Sequence, residues 1–278
     1  MKRIFLFRAY GDCIVALQSI INSPLRAQCE IIASLHHQPL FDALPAEMIP
    51  ADLNIQFVDW GIRTPLLRAF SNRYLLHAGT RRELAAIRSF LRNHPAPSGG
   101  DWVEQPHRKQ LLELGTKHRF HSIADDGPVY TAFHRFFHTV DPEICFADDG
   151  LHVAGPQNIL VLPSARIPRR DLPEPVLNCL KRMHTMKGDR VQLAYFNKQR
   201  NKQINKQQPG AIGYNSFSEL VQLVQEADFV YGADSLPVHL AQLLLKPHCI
   251  VYPEGGSHRF FTPFTLQHAL YKTFNEFH

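Results

Sequence analysis

Two stretches of this chain repeat one order: a short, continuously apolar segment, a break, then apolar residues at helical spacing. Between Arg3 and Arg8 the chain is apolar throughout, as a strand buried on both faces must be. Gly11 ends that run, and Ile14, Leu17, Ile20 and Ile21 then recur with the period of a helix. Further strands are expected at Glu30–Ser34 and Ile55–Val58, with a short helix near Leu40–Leu44. Strand, helix, strand in that order implies a parallel sheet. From Thr64 to Val140 helical patterns dominate, among them Arg81–Leu91 and Tyr130–Val140, and 93–102 reads as a surface loop on composition.

After a linker-like segment, Asp141–Gln157, the order restarts. Strands are expected at Asn158–Leu162, Arg190–Phe196, Asp228–Gly232 and Cys249–Tyr252. Helices are expected at Val176–Met183, after the Ser216-x-x-Glu219 capping box, and at Pro237–Leu245, where proline sets the first turn. The segment 198–210 carries four cations, no acid and no apolar period, as a mobile basic loop would. The chain thus reads as α/β, with domains 1–150 and 151–278 whose parallel sheets face each other across a cleft. Ligands of such sheets bind beyond the carboxyl ends of the strands. The residues after Arg8, Leu162, Tyr231 and Tyr252 are therefore the ones to inspect.

Composition narrows the class. At 278 residues, 45% of them apolar, the chain can build two cores. No run of about 18 uncharged apolar residues occurs, so no membrane span is expected. The opening apolar run is too short for a secretory signal. The five cysteines (Cys13, Cys29, Cys145, Cys179, Cys249) are scattered and contain no CxxC pair, which points away from disulfides and zinc and towards a reducing cytoplasm. Charge is uneven: residues 1–150 hold 16 basic and 16 acidic side chains, whereas 151–278 hold 14 and 9, so the whole excess of +5 lies in the second half. That suits an anion such as a nucleotide diphosphate, or serves only solubility. The cations are not interleaved with aromatics, so nucleic acid is not an expected partner.

Three of those strand ends carry groups suited to chemistry. Asp12 follows Gly11 at the start of a helix, where a carboxylate is either a cap or a general base facing the cleft. Ser164, Arg166, Arg169 and Arg170 follow the strand at 158–162, a hydroxyl and guanidinium groups fit for phosphate oxygens or a solvated basic turn. The strongest signal is YGADSLPVHLA (231–241), in which Asp234, Ser235, Leu236 and His239 open a helix whose free amides form an anion site. There the amides of Leu236, Val238 and His239 are the expected orphan donors. His134 and His138 are four apart but lack HExxH and sit among Phe133, Phe136 and Phe137, which indicates packing rather than metal. GxGxxG, GxxxxGK[ST] and GxSxG are all absent.

With these residues in place the chain resembles the heptosyltransferases, bacterial inverting glycosyltransferases of the GT-B fold that help assemble lipopolysaccharide. RIFLFRAYGDCIVALQSI looks like their first strand, Gly-Asp turn and helix. NILVLPSARIPRRDLP resembles the start of their second domain, and SFSELVQLVQEADFVYGADSLPVHLAQLLLKPHCIVYPEG is similar to their donor signature, Asp-Ser/Thr-Gly-x-x-His-x-Ala. The resemblance implies that Asp12 deprotonates an acceptor hydroxyl. It implies that Ser164 with an arginine holds the donor diphosphate, and that Asp234, Ser235 and His239 bind donor sugar and phosphates. Leu236 stands where the family has glycine, and one of Arg166, Arg169 or Arg170 replaces its usual lysine. The implied partners are a nucleotide-diphosphate sugar, with ADP-heptose one candidate, and a lipid-linked glycan acceptor met in the cytoplasm or at the inner face of the membrane. No cofactor or metal is expected. Two rivals are a nucleotide-sugar epimerase on the same fold and a non-catalytic nucleotide- or glycan-binding relative.

Overall fold

A computed structural model describes residues 1–7, 10–60, 78–124, 129–138, 157–197, 210–256 and 271–277. Arg8, nearly all of the linker segment, Cys145 and all but Gly210 of the basic loop lie outside the described residues. The chain divides into two compact units, Met1–Val140 and Asp141–His278.

The first unit runs β1 (Lys2–Leu6), α1 (Tyr10–Ile21), β2 (Cys29–Ser34), α2 (Gln38–Phe41), β3 (Asn54–Val58), α3 (Ala78–Asn93), β4 (Asp101–Val103), α4 (Pro106–Thr116), β5 (His121–Ser122) and α5 (Val129–Phe137). Its five strands are parallel in the order β3-β2-β1-β4-β5. Strand β1 is central, which is why its sequence does not alternate. Phe5 and Phe7 pack with Ile87, Phe90 and Leu91 of α3 and with Leu111 and Leu112 of α4. Phe5 meets Phe90 and Phe120 edge-on at 6.1 and 5.7 Å.

The exception in β1 is Arg3, buried yet charged. Asp101 of β4 takes both ends of its guanidinium, Nε at 2.7 Å and Nη2 at 2.9 Å, while Nη1 donates to the His94 carbonyl at 2.9 Å. A buried charge persists only when paired and hydrogen-bonded in this way. Asp101 and Trp102 are therefore strand residues, not the end of a loop, and β5 likewise interrupts the stretch expected to be helical. Strands of three and two residues are too short to show a period of two.

The second unit runs β6 (Asn158–Leu162), α6 (Glu174–Met186), β7 (Arg190–Phe196), β8 (Ile212–Tyr214), α7 (Phe217–Glu226), β9 (Phe229–Ala233), α8 (Leu236–Leu243), β10 (His248–Tyr252) and β11 (Tyr271–Thr273). Its six strands lie in the order β11-β10-β9-β6-β7-β8, all parallel. The edge strands β8 and β11 were not expected, for the same reason of length. Strand β9 begins one residue later than the pattern suggested. Asp228 is used instead to clasp β6, its carboxylate accepting from the Asn158 amide at 2.8 Å and its own amide donating to the Asn158 carbonyl at 2.9 Å. Ser216 caps α7 by accepting from the Glu219 amide at 3.1 Å. The Glu219 carboxylate reaches back one residue beyond the usual box, to the Asn215 amide at 2.9 Å. Helix α8 ends at Leu243, two residues before the expected end, and Leu245 is already left-handed at φ 54°.

At the amino end of this sheet, His184 of α6 is buried between Asp189 (Nδ1 to carboxylate, 2.7 Å) and the Tyr231 hydroxyl (Nε2, 3.3 Å). Burial pushes the Asp189 carboxyl up, but the His184 bond, the Gln157 amide and nearby charge outweigh it and hold it below its ordinary value. A carboxyl depressed in the folded state stabilises above its unfolded pKa, about 4 for Asp, and that contribution is lost as pH falls through the folded value. Asp189→Asn should therefore lower the unfolding midpoint near neutrality and flatten its decline below about pH 4. Thermal unfolding of both proteins across pH 2 to 7 checks this, and parallel curves would refute it.

Both sheets share one topological feature. From β1 the chain winds outward through β2 and β3, then returns to β4 on the other side; from β6 it winds through β7 and β8, then returns to β9. The switch points lie between β1 and β4 and between β6 and β9. At such a point the loops leaving adjacent strands part in opposite directions and open a crevice.

Candidate functional site

At the second switch point, β6 and β9 pair in parallel with Leu162 opposite Gly232. Two residues further along, that register brings Ser164 level with Asp234. The Ser235 hydroxyl donates to the Ser164 carbonyl at 3.2 Å, tying the two exits together. Ser235 is the N-cap of α8, extended at φ −158° and ψ 174°, and its side chain does not cap the helix. The chain turns here because β9 is buried on both faces and Pro237, in the first turn, pre-sets helical geometry. The His239 amide donates to the Ser235 carbonyl at 3.4 Å. It is therefore not one of the orphan donors expected at this end. Leu236 and Val238, the other two, lie ahead of the first backbone bond.

Asp234 is the hub. It is 7% exposed, and both carboxylate oxygens are engaged: Oδ1 faces His239 Nε2 at 3.2 Å, and Oδ2 faces Arg170 Nη1 at 2.9 Å. Burial raises its pKa, but the His239 hydrogen bond, the His239 charge and the Arg170 guanidinium prevail and hold it below the usual carboxylate range. Asp234 is thus ionised at neutral pH. His239 is itself 4% exposed. His248, which feels the His239 charge, is fully buried, and that burial pulls its pKa down to about 4, so this imidazole is neutral.

Arg170 reaches Asp234 from the turn Pro168–Arg170, which leaves β6. Asp171 holds that turn, its carboxylate accepting from the Ala165 amide at 2.6 Å. Arg169, in the same turn, and Arg166, just before it, are exposed. The structure therefore joins Ser164, Arg170, Asp234, Ser235 and His239 in one cluster, with Leu236 half-buried at its rim, and leaves Arg166 and Arg169 outside the network. Leu236 is helical and not left-handed, so nothing in its backbone conformation demands glycine. The cluster offers a guanidinium fork, a hydroxyl and helix-end amides to an anion.

Asp12 belongs to the first switch point. It lies in the first turn of α1, half-buried, after β1. Helix α1 already starts at Tyr10, so Gly11 is a helical residue without positive φ, not the tight turn that the sequence suggested. Burial above all, then Glu104 and Asp12, pushes the Cys13 thiol well up. Two carboxylates, Asp12 after β1 and Glu104 after β4, thus act on Cys13. Glu104 was missed from the sequence because β4, which delivers it, was missed. Among the described residues no group of three or more His, Cys, Asp or Glu could hold a metal ion. None of the described helices is long and apolar enough to cross a membrane.

The two sheets and their switch points define a GT-B-type α/β protein with the fold of the heptosyltransferases. Escherichia coli ADP-heptose lipopolysaccharide heptosyltransferase II is similar over 98% of this chain and 89% of its own, with TM-score 0.58 and 14% identity. E. coli heptosyltransferase WaaC with ADP-2-deoxy-2-fluoro heptose is similar over 98% and 92%, with TM-score 0.56 and 14% identity. A glycosyl transferase family 9 structure from Veillonella parvula is similar over 98% and 84%, with TM-score 0.58 and 11% identity. No protein-family model matches the sequence, and no curated protein matches it significantly.

Proposed function

We propose that this protein is an inverting glycosyltransferase that moves a sugar from a nucleotide-diphosphate donor to a hydroxyl of a surface glycan such as the lipopolysaccharide core. The observation that carries the reading is the cluster of Ser164, Arg170, Asp234, Ser235 and His239 at the switch point of the second sheet. Structures sharing the fold are named with ADP and ADP-2-deoxy-2-fluoro heptose, so an ADP-sugar is the donor to try first. In this reading the donor diphosphate lies across the Asp234–His239 turn, against Ser164 and the arginines that follow β6. Asp12 takes the proton of the attacking acceptor hydroxyl, and the O–C bond forms as the bond from sugar to diphosphate breaks. The guanidinium groups and helix-end amides stabilise the charge growing on the departing diphosphate.

Incubation with a panel of nucleotide sugars, following nucleotide release with and without lipopolysaccharide-core acceptor, tests this. Release that depends on acceptor supports transfer. Donor conversion without acceptor would mark an epimerase, and binding without turnover a non-catalytic relative.

A smaller prediction concerns Leu236. Replacing it by glycine removes a side chain at the mouth of the amides and costs about 0.5–1 kcal/mol of helix stability. Leu236→Gly should bind ADP at least as tightly as the wild type while unfolding slightly earlier. Weaker binding in calorimetric titration would show that the leucine side chain contributes to the site.

A further inference from the structure

We propose that the outer face of helices α3 and α4 docks on the surface of an anionic lipid bilayer. The charge balance of residues 1–150, 16 basic against 16 acidic side chains, hides this face, because burial separates the two signs. Between Ala78 and Arg119 the acids Glu83, Asp101 and Glu104 are buried, and Glu113 is half-buried, its carboxylate accepting from the Phe120 amide at 3.0 Å. Every exposed Lys, Arg, Asp or Glu in that stretch is a cation: Arg81, Arg82, Arg88, Arg92, Lys117 and Arg119. Both helices pack over Phe5 and Phe7, on one side of the sheet, and Arg88 Nη2 joins them by donating to the Gly115 carbonyl at 2.6 Å. Their outward sides therefore form one surface. Arg81, Arg88 and Arg92 recur at intervals of seven and four, a single stripe of α3, with Ile87 and Phe90 on the buried side. Helix stability does not account for these cations. Arg81 and Arg82 stand near the amino end of α3, where the helix dipole disfavours positive charge, and Arg88 and Arg92 are four apart, where like charges repel. An anionic surface relieves both. Among these described residues no Phe, Tyr or Trp is exposed, so nucleic-acid bases find no stacking platform. Leu114, 58% exposed beside Gly115, is instead suited to the headgroup layer of a membrane. Docking stands apart from the transfer reading. What rests on that reading is its use, to bring a lipid-anchored acceptor to Asp12, since α4 begins at the exit of β4, the neighbour of β1.

The test is co-sedimentation of the full chain with vesicles of phosphatidylcholine, either alone or with about one quarter phosphatidylglycerol. The wild type is expected on the anionic vesicles only, and to leave them at about 0.5 M salt. Combining Arg81→Gln, Arg82→Gln and Arg92→Gln should weaken that binding about a hundredfold, at roughly fivefold per cation. Glutamine is a good helix former, so α3 should persist, and the unfolding midpoint checks this. If the triple variant does not fold, Arg81→Gln with Arg82→Gln replaces it, with a loss of about 25-fold expected. A control with Arg182→Gln, Lys187→Gln and Arg190→Gln removes the same charge from exposed positions of the second unit and should keep its binding. Absence of wild-type binding to anionic vesicles, equal binding to neutral ones, or equal losses in the two triple variants overturns the proposal. So does tighter binding to a single-stranded RNA through the same arginines, which would mark a nucleic-acid surface. None of these readouts uses turnover, so a failure here is distinct from a failure of the transfer reading.

Discussion

Asp12→Asn should lower turnover about 10²-fold or more while leaving the fold and donor affinity nearly intact. Asparagine has nearly the volume of aspartate, so the first turn of α1 keeps its geometry and loses only the interaction of a charge with the helix end, about 0.3–1 kcal/mol. What the substitution removes is the capacity to accept a proton. In the proposed reaction the acceptor hydroxyl loses its proton as it attacks, and a positioned carboxylate typically contributes a factor of about 10²–10⁴ to such a step. Asp12 is half-buried at the first switch point, reachable yet held by the helix. Steady-state turnover with ADP-heptose and core acceptor, alongside ADP affinity and the unfolding midpoint, checks this. Wild-type turnover in the mutant would leave Asp12 as a first-turn acid that favours the helix end and nothing more.

The second large effect is expected on the donor side. Arg169→Ala combined with Arg170→Ala should weaken nucleoside-diphosphate binding by about 1.5–3 kcal/mol for each charge-assisted hydrogen bond to phosphate that disappears. The two residues differ in how they are held. Arg170 is anchored by Asp234 at 2.9 Å, while Arg169, in the same turn, is exposed. A side chain ordered in advance gives up less of its interaction energy to ordering, so most of the loss should come from Arg170. Titration of the single and double mutants with ADP separates the shares. Affinity unchanged in the double mutant would remove both arginines from the site.

The local sequence determined much of this. Continuous apolar runs identified β1, β6, β9 and β10, because a central parallel strand is buried on both faces and has no polar side to betray its period. Residues at the exits of such strands are fixed by the sheet behind them, so Asp12, Ser164 and Asp234 could be singled out from position alone. Even there the boundaries slipped where a side chain was recruited elsewhere, as Asp228 was by β6. The signal failed where an element was too short to carry a period, at β4, β5, β8 and β11, and with β4 went Glu104.

Only the tertiary structure decided strand order, and with it which exits are neighbours. Ser164 and Ser235 are 71 residues apart and meet because β9 lies against β6, a pairing no local window contains. It likewise chose among the three arginines. By composition Arg166, Arg169 and Arg170 are equivalent cations, but the turn at Pro168–Arg170 directs one of them to a buried carboxylate just after the neighbouring strand β9. Periodicity records which side of an element is buried, whereas partner choice depends on residues distant along the chain, which come together only once the sheet has formed.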